Sequence, residues 1–262
     1  MITSKANPKI KNVVKLQKAS ERRDQNRIII EGRREIERAI LCGFIIDTLF
    51  ICNEIKDYSS ELMDRSSWIK ANIIEEVSLE VFEKIAYREG SDGLLAVAIP
   101  KYADIKNFKP KKDPLIIVLE TVEKPGNLGA IMRTADAAGV DAVIIADQRT
   151  DLYNPNAIRA SIGTIFSVPL FSCSSEECIE WLKENDIKIF CTYLKASIDY
   201  LEADFTKGSA IVMGTEATGI SDIWVKAADQ NLIIPMNGIA DSLNVSVTTA
   251  IVVFEAIRQR RI

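Results

Sequence analysis

The sequence predicts an α/β protein in which a small N-terminal domain precedes a larger domain built on a mostly parallel sheet. The C-terminal part alternates apolar runs with helical patterns, and its apolar runs lack the strict polar–apolar alternation of a half-exposed sheet. The first third contains shorter strand and helix units, and a lysine-rich segment bounded by prolines follows it. We therefore predict residues 1–104 as the first domain, 105–113 as a linker and 114–262 as the second domain.

The first domain is predicted to begin with a basic arm. Residues 1–23 carry seven lysines and arginines against one glutamate, a net charge of +6, so the rest of this −4 chain carries −10. A basic arm on an acidic body is typical of polyanion-binding proteins, and a solvated helix face explains the same charges equally well. After the arm, strands are predicted at 26–32, 46–52, 72–78 and 93–100, and helices at 33–43, 59–72 and 79–87.

The second domain is predicted to alternate strands and helices. Apolar runs predict strands at 115–120, 142–146, 187–191, 210–213 and 232–236. Helices are predicted at 154–163, 174–185 and 242–261, and the segment from 123 to 139 is a turn followed by a small-residue helix. Asn154 is a predicted N-cap with Pro155 in the first helical position, and the helix at 174–185 begins with serine and acidic residues, which complement its dipole.

The composition excludes several kinds of chemistry. The chain has no histidine, so Ser-His-Asp and Cys-His catalysis and histidine metal sites are ruled out. Its five cysteines form no CxxC pair, which predicts reduced thiols and no metal site. No apolar run is long enough to span a bilayer, and the polar, lysine-rich start does not resemble a signal peptide, so we expect a cytoplasmic protein without a membrane partner.

The first segment that suggests a functional site is EKPGNLGAIMRTADAAG, at 123–139. A strand leads into it, but its glycines lack the G-x-G-x-x-G spacing of dinucleotide-binding turns. If the helix begins near Asn127, that side chain can cap it, and Arg133 is then held near the carboxyl edge of the strand, where open α/β sheets bind ligands. A surface arginine on an amphipathic helix is the alternative explanation.

Two further segments combine glycines with polar side chains after a strand. In IVMGTEATGIS, at 211–221, Gly214 and Gly219 free the backbone to surround a ligand, Glu216 lies between them, and a serine-capped helix follows. In IPMNGIADSLNVSV, at 234–247, Ser242 and Asn244 are both candidate caps. The leucine between those two polar residues suits an apolar wall beside hydrogen-bonding groups.

Together, in this order, the three segments resemble the signature motifs of the SpoU (TrmH-like) family of 2′-O-ribose RNA methyltransferases, in the SPOUT superfamily. The matching residues are Pro125-Gly126-Asn127-Leu128-Gly129 with Arg133, then Gly214, Glu216 and Gly219, then Ile234-Pro235-Met236 and Ser242-Leu243-Asn244-Val245-Ser246. The segment at 158–169 is also similar to the family's middle region, and the first domain resembles its RNA-binding accessory domain, a small α/β fold similar to certain ribosomal proteins.

The resemblance implies S-adenosylmethionine as the cofactor, a C-terminal domain tied in a trefoil knot, and a homodimer. It implies catalytic roles for Arg133, Asn127, Glu216, Ser242 and Asn244, with Arg133 as general base or as an electrostatic clamp. The cofactor contacts that it implies are Gly214, Gly219, Ile234, Met236 and Leu243. From the basic segment we predict RNA contacts at Lys5, Lys9, Lys11, Arg22 and Arg23.

The implied reaction is methyl transfer to a ribose 2′-hydroxyl of RNA, and the accessory domain favours ribosomal RNA. Transfer RNA as the substrate and a non-catalytic RNA-binding protein on the same fold are the alternatives within the family. A nucleotide-dependent oxidoreductase is an alternative outside it. That alternative explains the first glycine turn but not the Gly-x-Glu loop or the Ser-Leu-Asn segment.

Overall fold

The computed structural model describes residues 1–63, 69–88, 90–195, 197–215 and 219–261. Within these ranges the chain forms two compact units. The first comprises Met1–Lys101 with Asp151–Ser167, and the second comprises Tyr102–Thr150 with Val168–Ile262. The segment 151–167, which the sequence assigns to the second domain, thus groups with the first unit, and the domain boundaries otherwise stay a prediction.

The helices and strands follow the chain in this order. The α-helices are α1 Pro8–Leu16, α2 Ala19–Gln25, α3 Arg33–Leu41, α4 Ser59–Met63, α5 Leu79–Ile85, α6 Pro125–Ala138, α7 Pro155–Ala160, α8 Ser175–Glu184, α9 Asp222–Ala227 and α10 Val245–Gln259. The strands are β1 Ile28–Glu31, β2 Ile46–Ile51, β3 Ile73–Glu76, β4 Leu94–Ala98, β5 Leu115–Glu120, β6 Ala142–Ala146, β7 Leu170–Cys173, β8 Lys188–Thr192, β9 Ile198–Asp199, β10 Ser209–Met213 and β11 Gln230–Ile233. In the described ranges, no helix has both the length and the apolar character needed to cross a membrane.

The first unit is built on a four-stranded sheet in the order β1-β4-β2-β3. Strand β4 runs antiparallel to both β1 and β2, whereas β2 and β3 are parallel. Apolar side chains of β2 and β4, including Phe50 and Leu95, form a core with α5 residues Val81, Phe82 and Ile85. The strand and helix pattern of this unit agrees with the prediction from residue 28 onward.

The N-terminal basic segment is not an extended arm, because it forms α1 and α2. Asn7 caps α1 by accepting a hydrogen bond from the Lys9 amide, and Pro8 occupies the first helical position. Ile10, Val13 and Leu16, spaced three residues apart, are buried in the core of the first unit. The charge of this segment predicts a basic arm, whereas the apolar stripe between its lysines marks helix α1.

The second unit is built on a seven-stranded sheet in the order β7-β6-β5-β10-β8-β11-β9. Every strand pairing in it is parallel, which confirms the predicted mostly parallel sheet. Residues 115–119 of β5 are fully apolar and buried, as expected for a strand covered on both faces. Because all strands run the same way, their carboxyl ends and the loops after them lie along one edge.

Helices cover both faces of this sheet. On one face, Cys178 and Leu182 of α8 and Trp224 of α9 pack into the cluster that contains Ile116 and Val118 of β5. Alternate residues of a strand point to opposite faces, and α10 packs against both β10 and α6 on the other side. Helices α6 and α10 therefore stand together beside the loops that follow β5, β10 and β11.

Several predicted boundaries differ from the structure, including three at α4, β11 and α10. The predicted helix at 59–72 ends as α4 at Met63, residues 64–68 lie outside the described part of the chain, and residues 69–72 are not helical. Strand β11 ends at Ile233, so the segment from 234 to 244 is a loop. Helix α10 begins at Val245 with Asn244 as its N-cap, three residues after the predicted start.

Candidate functional site

The loop after β10 folds back sharply on itself at its two glycines. The Thr215 amide donates to the Gly219 carbonyl at 2.9 Å, and the Gly219 amide donates to the Thr215 carbonyl at 3.0 Å. Gly219 has φ +69°, a backbone conformation that favours glycine. A Cβ added at Gly214 would lie 2.3 Å from the carbonyl carbon and oxygen of Gly219, so the close approach of the two backbones requires glycine there.

This loop forms one wall of a cavity of about 580 Å³ at the carboxyl end of the sheet. The other walls come from the segment after β8, the loop after β11 and the first half of α10. The lining residues are Thr192, Tyr193, Leu194, Lys195, Met213, Gly214, Thr215, Gly219, Ile220, Asp222, Leu232, Ile233, Ile234, Met236, Asp241, Ser242, Leu243, Val245, Thr248 and Val252. Both the volume and the position are typical of ligand sites in open α/β sheets.

All five predicted cofactor contacts line this one cavity. They are Gly214, Gly219, Ile234, Met236 and Leu243, and they come from two loops and the approach to the last helix. The structure thus brings together residues up to 29 positions apart. Their contact with a cofactor stays a prediction.

Charged residues that the sequence analysis did not select also line the cavity. Lys195 follows β8, Asp222 opens α9 and Asp241 lies in the loop before α10. Lys195 and Asp222 lie outside the three glycine-containing segments, and Asp241 lies inside the third but was not selected. The available signal was topological, because a residue that follows a strand beside β10 must reach the same edge of a parallel sheet.

The first and third motifs meet at a pair of asparagines. The Asn244 side-chain amide donates to the side-chain oxygen of Asn127, Oδ1, at 3.3 Å. Asn244 also caps α10, since its side-chain oxygen accepts from the Ser246 amide at 2.9 Å. Asn127 is not a cap, because α6 begins two residues earlier at Pro125 with Lys124 in the N-cap position. Asn127 therefore presents its side chain from the first turn of α6 towards the start of α10.

The remaining predicted catalytic residues fall in different places. Ser242 lines the cavity and is exposed. Arg133 lies on the exposed side of α6 and is not among the described residues that line the cavity. Glu216 lies outside the described residues. Arg133 is therefore not part of the cavity wall that the described residues of a single chain form.

A buried carboxylate that the sequence analysis missed holds the second motif in place. Glu120, the last residue of β5, is buried, and its carboxylate accepts a hydrogen bond from the Ser221 amide at 2.9 Å. Ser221 is the N-cap residue of α9, but its side chain makes no capping hydrogen bond. The predicted serine cap is thus not formed, and the Glu120 carboxylate instead holds the amide of the N-cap residue itself.

The structure corrects the predicted RNA contacts. Arg22 is buried, and its guanidinium forms an ion pair with Asp151 at 2.6 Å and donates to the carbonyls of Leu16 and Gln17 at 2.8 Å. It is therefore a structural residue of the first unit and not an exposed RNA contact. The charge pattern could not reveal this, because the partner lies 129 residues away.

Three of the other four predicted RNA contacts are already paired with carboxylates. Lys5 pairs with Glu80 at 2.6 Å and Arg23 contacts Asp24 at 3.6 Å. Lys9 pairs with Glu75. Lys11 is exposed. The five predicted contacts thus include one buried residue, three ion-paired residues and one exposed lysine.

Comparison with known proteins assigns the two parts of the chain separately. Residues 114–254 match the model of the SpoU rRNA Methylase family. Residues 7–96 match the MRM3-like substrate binding domain. Among curated proteins, the chain is 30% identical to the 23S rRNA (guanosine(2553)-2′-O)-methyltransferase RlmP of Bacillus subtilis, over 97% of each chain.

Solved structures match the chain over almost its full length. The crystal structure of an RNA 2′-O ribose methyltransferase is 38% identical with a TM-score of 0.85, over 100% of this chain and 99% of that one. An AdoMet-bound rRNA methyltransferase from Sinorhizobium meliloti is 29% identical with a TM-score of 0.88, over 98% and 97%. The SpoU methyltransferase AviRb from Streptomyces viridochromogenes is 26% identical with a TM-score of 0.87, over 97% and 98%.

Proposed function

The chain belongs to the SpoU rRNA methylase family, and from this premise we propose that it transfers the methyl group of S-adenosylmethionine to a ribose 2′-hydroxyl of ribosomal RNA. One observation carries the proposal. Residues selected from separate sequence motifs line a single cavity at the carboxyl edge of a parallel sheet. The names of two similar proteins, which specify 2′-O-methylation of 23S rRNA, support ribosomal RNA over transfer RNA.

The cavity has the chemistry that S-adenosylmethionine requires. Ile234, Met236 and Leu243 supply apolar surface for the adenosine, and the tight backbone at Gly214 lets main-chain groups approach the ligand closely. The charged groups of Lys195 and Asp241 complement the carboxylate and the cationic groups of the donor. We assign these residues to donor binding.

When bound, the donor supplies a methyl group that its sulfonium already activates, so the protein has to align the acceptor and handle one proton. We assign the alignment to Asn127, Ser242 and Asn244, and the support for two of them is their mutual hydrogen bond at the base of α10. Glu216 stays in the proposal as a residue that positions Arg133 or its own loop.

We assign Arg133 an electrostatic role. A guanidinium stays protonated above pH ~12, which makes it a poor general base at neutral pH. The same group binds phosphate through paired hydrogen bonds and stabilises charge that develops on an oxygen. Arg133 would thus hold the phosphate beside the target ribose and stabilise the negative charge that develops on the 2′-oxygen while solvent water accepts its proton.

We propose a homodimer that completes this site. Val247 and Phe254 on α10 are each 46% exposed, two turns apart on one helix face. Arg133 lies on the exposed side of α6, which packs against α10. A second copy covering these two helices would bury the apolar side chains and supply the arginine that the cavity of a single chain lacks.

The finer features of the family remain part of the proposal. We expect the last helix to thread a loop as a trefoil knot, and the support is the similarity of this fold to the SpoU methyltransferase structures. We also expect a cytoplasmic protein, because the similar proteins modify ribosomal RNA. The matched substrate-binding domain supports an RNA-binding role for the first unit.

Calorimetric titration tests the donor site directly. We expect heat of association with S-adenosylmethionine and with its demethylated product, and none with NAD. Binding of NAD alone would favour the oxidoreductase alternative. If neither the donor nor its product binds, the assignment of the cavity is wrong.

A further inference from the structure

The structure separates the basic residues of the N-terminal segment into two groups. Lys5, Lys9 and Arg23 contact carboxylates, and Arg22 is buried against Asp151. Lys5, Lys9 and Arg23 are nevertheless exposed, as are three further lysines, Lys11, Lys15 and Lys18. No ion pair or side-chain hydrogen bond of these three lysines occurs among the described residues.

Lys11 and Lys15 lie on one face of α1, and Lys18 follows two residues after the helix ends at Leu16. At about 3.6 residues per turn, positions 11, 15 and 18 fall within an arc of about 60° and span about 10 Å along the axis. The backbone keeps the helical path as far as Lys18, because Gln17 has right-handed helical dihedral angles and the Lys18 amide donates to the Lys15 carbonyl at 2.9 Å. Lys18 itself has φ −90° and ψ 137° and is the N-cap residue of α2. The opposite face of the helix is the buried stripe of Ile10, Val13 and Leu16, which fixes the lysines toward solvent.

This lysine face matches the charge of a nucleic-acid backbone. The chain carries 37 acidic against 33 basic residues, so its average field repels RNA and attraction has to be local. A backbone presents phosphates every few ångströms, which is comparable to the spacing of the lysines. A lysine already paired with a carboxylate would have to break that pair before it neutralised a phosphate.

Stabilisation of the helix dipole does not account for the face. Cations near a helix C-terminus are favourable, which would explain Lys15 and Lys18. Lys11 lies in the N-terminal half of α1, where the helix dipole does not stabilise a cation. Binding of an external anion gives all three lysines a common role.

We propose that Lys11, Lys15 and Lys18 form the surface through which the first unit binds the phosphate backbone of RNA. The proposal rests on the proposed function, because it names the residues that hold the RNA substrate. Contacts of this kind position the RNA and supply affinity without reading its sequence. Choice of the target nucleotide must then come from other residues.

Two triple variants of the full-length protein with the same change in charge test the proposal. One is Lys11→Gln/Lys15→Gln/Lys18→Gln, and the matched control is Lys5→Gln/Lys9→Gln/Arg23→Gln. Point substitutions are needed because deletion of 1–23 would also remove Ile10, Val13 and Leu16 from the core. Binding to fluorescently labelled poly(U) RNA is measured over a range of KCl concentrations.

We expect the first variant to lower the magnitude of the slope of log Kobs against log[KCl] by about 2, because each lost phosphate contact lowers it by about 0.7. The control should change the slope by less than about 0.5. Replacement of the same three lysines by arginine should keep the wild-type slope. Equal slope changes in the two triple variants, or no change in the first, would overturn the proposal.

Titration of the same preparations with S-adenosylmethionine separates this inference from the proposed function. Heat of donor binding with an unchanged salt slope would contradict only the lysine surface. A reduced slope without donor binding would contradict the methyltransferase assignment while supporting the surface.

Discussion

Arg133 is the residue on which the proposed chemistry depends most and which the fold constrains least. It is exposed on α6 and carries a group suited to phosphate binding and charge stabilisation. We expect Arg133→Ala to lower kcat by about 100- to 1,000-fold, the usual cost of losing one preorganised donor to a developing oxyanion. Donor affinity, measured by calorimetry, should stay within about two-fold, since Arg133 does not line the cavity of its own chain.

An Arg133→Lys variant is the matched control for that experiment. It keeps the positive charge but loses the planar, two-pronged donor geometry. We expect partial activity if charge alone matters and activity close to that of Arg133→Ala if paired hydrogen bonds matter. Near wild-type turnover of Arg133→Ala would remove Arg133 from the mechanism.

The substitution Gly214→Ala tests the cavity wall by adding a single methyl group. A Cβ there would overlap the Gly219 backbone at 2.3 Å, so Gly214→Ala must open the loop that forms a cavity wall. Overpacking of this kind costs about 1–3 kcal/mol, which predicts donor affinity weaker by about ten- to hundred-fold if the loop bears the strain.

Gly238→Ala is the control for the Gly214 substitution. Gly238 lies in the neighbouring loop, and a Cβ added there meets nothing within 4 Å. Donor affinity measured by calorimetry should therefore remain close to that of the wild type. Equal effects of the two substitutions would show that the backbone contact at Gly214 does not shape the donor site.

At the residue scale, the sequence predicts the cavity-lining residues that lie in glycine-containing motifs. It does not predict residues whose role depends on a partner far away along the chain. Gly214 and Leu243 could be selected because their motifs have a fixed spacing, and both line the cavity. Arg22 could not be recognised as buried, because Asp151 lies 129 positions away. Lys195 escaped selection because its place on the cavity wall follows from strand order alone.

Helix α2 illustrates how one element depends on a buried charge. Arg22 pairs with Asp151 and donates to two carbonyls, so Arg22→Ala leaves a carboxylate and two carbonyls without this partner. We expect the free energy of unfolding to fall by about 3–5 kcal/mol. Arg23→Ala, next to it and exposed, should change it by less than about 1 kcal/mol.

Urea unfolding followed by circular dichroism measures both arginine variants. A large loss for Arg22→Ala with almost none for Arg23→Ala supports the structural role of the buried pair. Similar small losses for both would mean that Arg22 is solvated in solution and available to RNA after all.

The exposed face of α10 is part of the surface through which we propose that two copies of the chain associate. Phe254→Glu places a charge among apolar side chains that a second copy would cover, so we expect a shift from dimer to monomer. Leu41→Glu is the matched control, because Leu41 is 84% exposed at the end of α3 in the first unit. Size-exclusion chromatography with light scattering measures both masses.

A monomeric wild-type protein would contradict the dimer proposal outright. A Phe254→Glu variant that remains dimeric would move the interface away from α10. If Phe254→Glu becomes monomeric and also loses methyl transfer while it still binds the donor, the need for a second copy at the site is supported.

At the scale of elements, caps and periodicity predict the helices well and the loops less well. Asn154 and Ser174 cap α7 and α8 as the sequence indicates, the latter in a capping box with Glu177. Strand β11 ends earlier than its apolar run, because residues 234–244 turn to line the cavity instead of continuing the sheet. Burial against a ligand site and burial in a sheet give the same apolar pattern.

For the whole molecule, the sequence predicts the fold class but not the grouping of distant segments. Apolar runs that alternate with helices predict five of the seven parallel strands of the second unit, and they miss the short strands β7 and β9. The grouping of 151–167 with the first unit depends on packing partners far away along the chain, which periodicity does not encode. The family motifs supplied the function, because a parallel α/β sheet by itself hosts many chemistries.

The central claim is that the cavity holds a sulfonium donor whose methyl group goes to a ribose 2′-hydroxyl. Mapping of 2′-O-methyl positions in 23S ribosomal RNA, incubated with the donor and either wild-type protein or Arg133→Ala, tests it most directly. We predict at least one new 2′-O-methylated nucleotide with the wild type and a loss of most of that signal with the variant. An RNA whose 2′-O-methyl pattern stays unchanged with folded, donor-bound wild-type protein, or whose new methyl groups lie only on bases, would contradict the account.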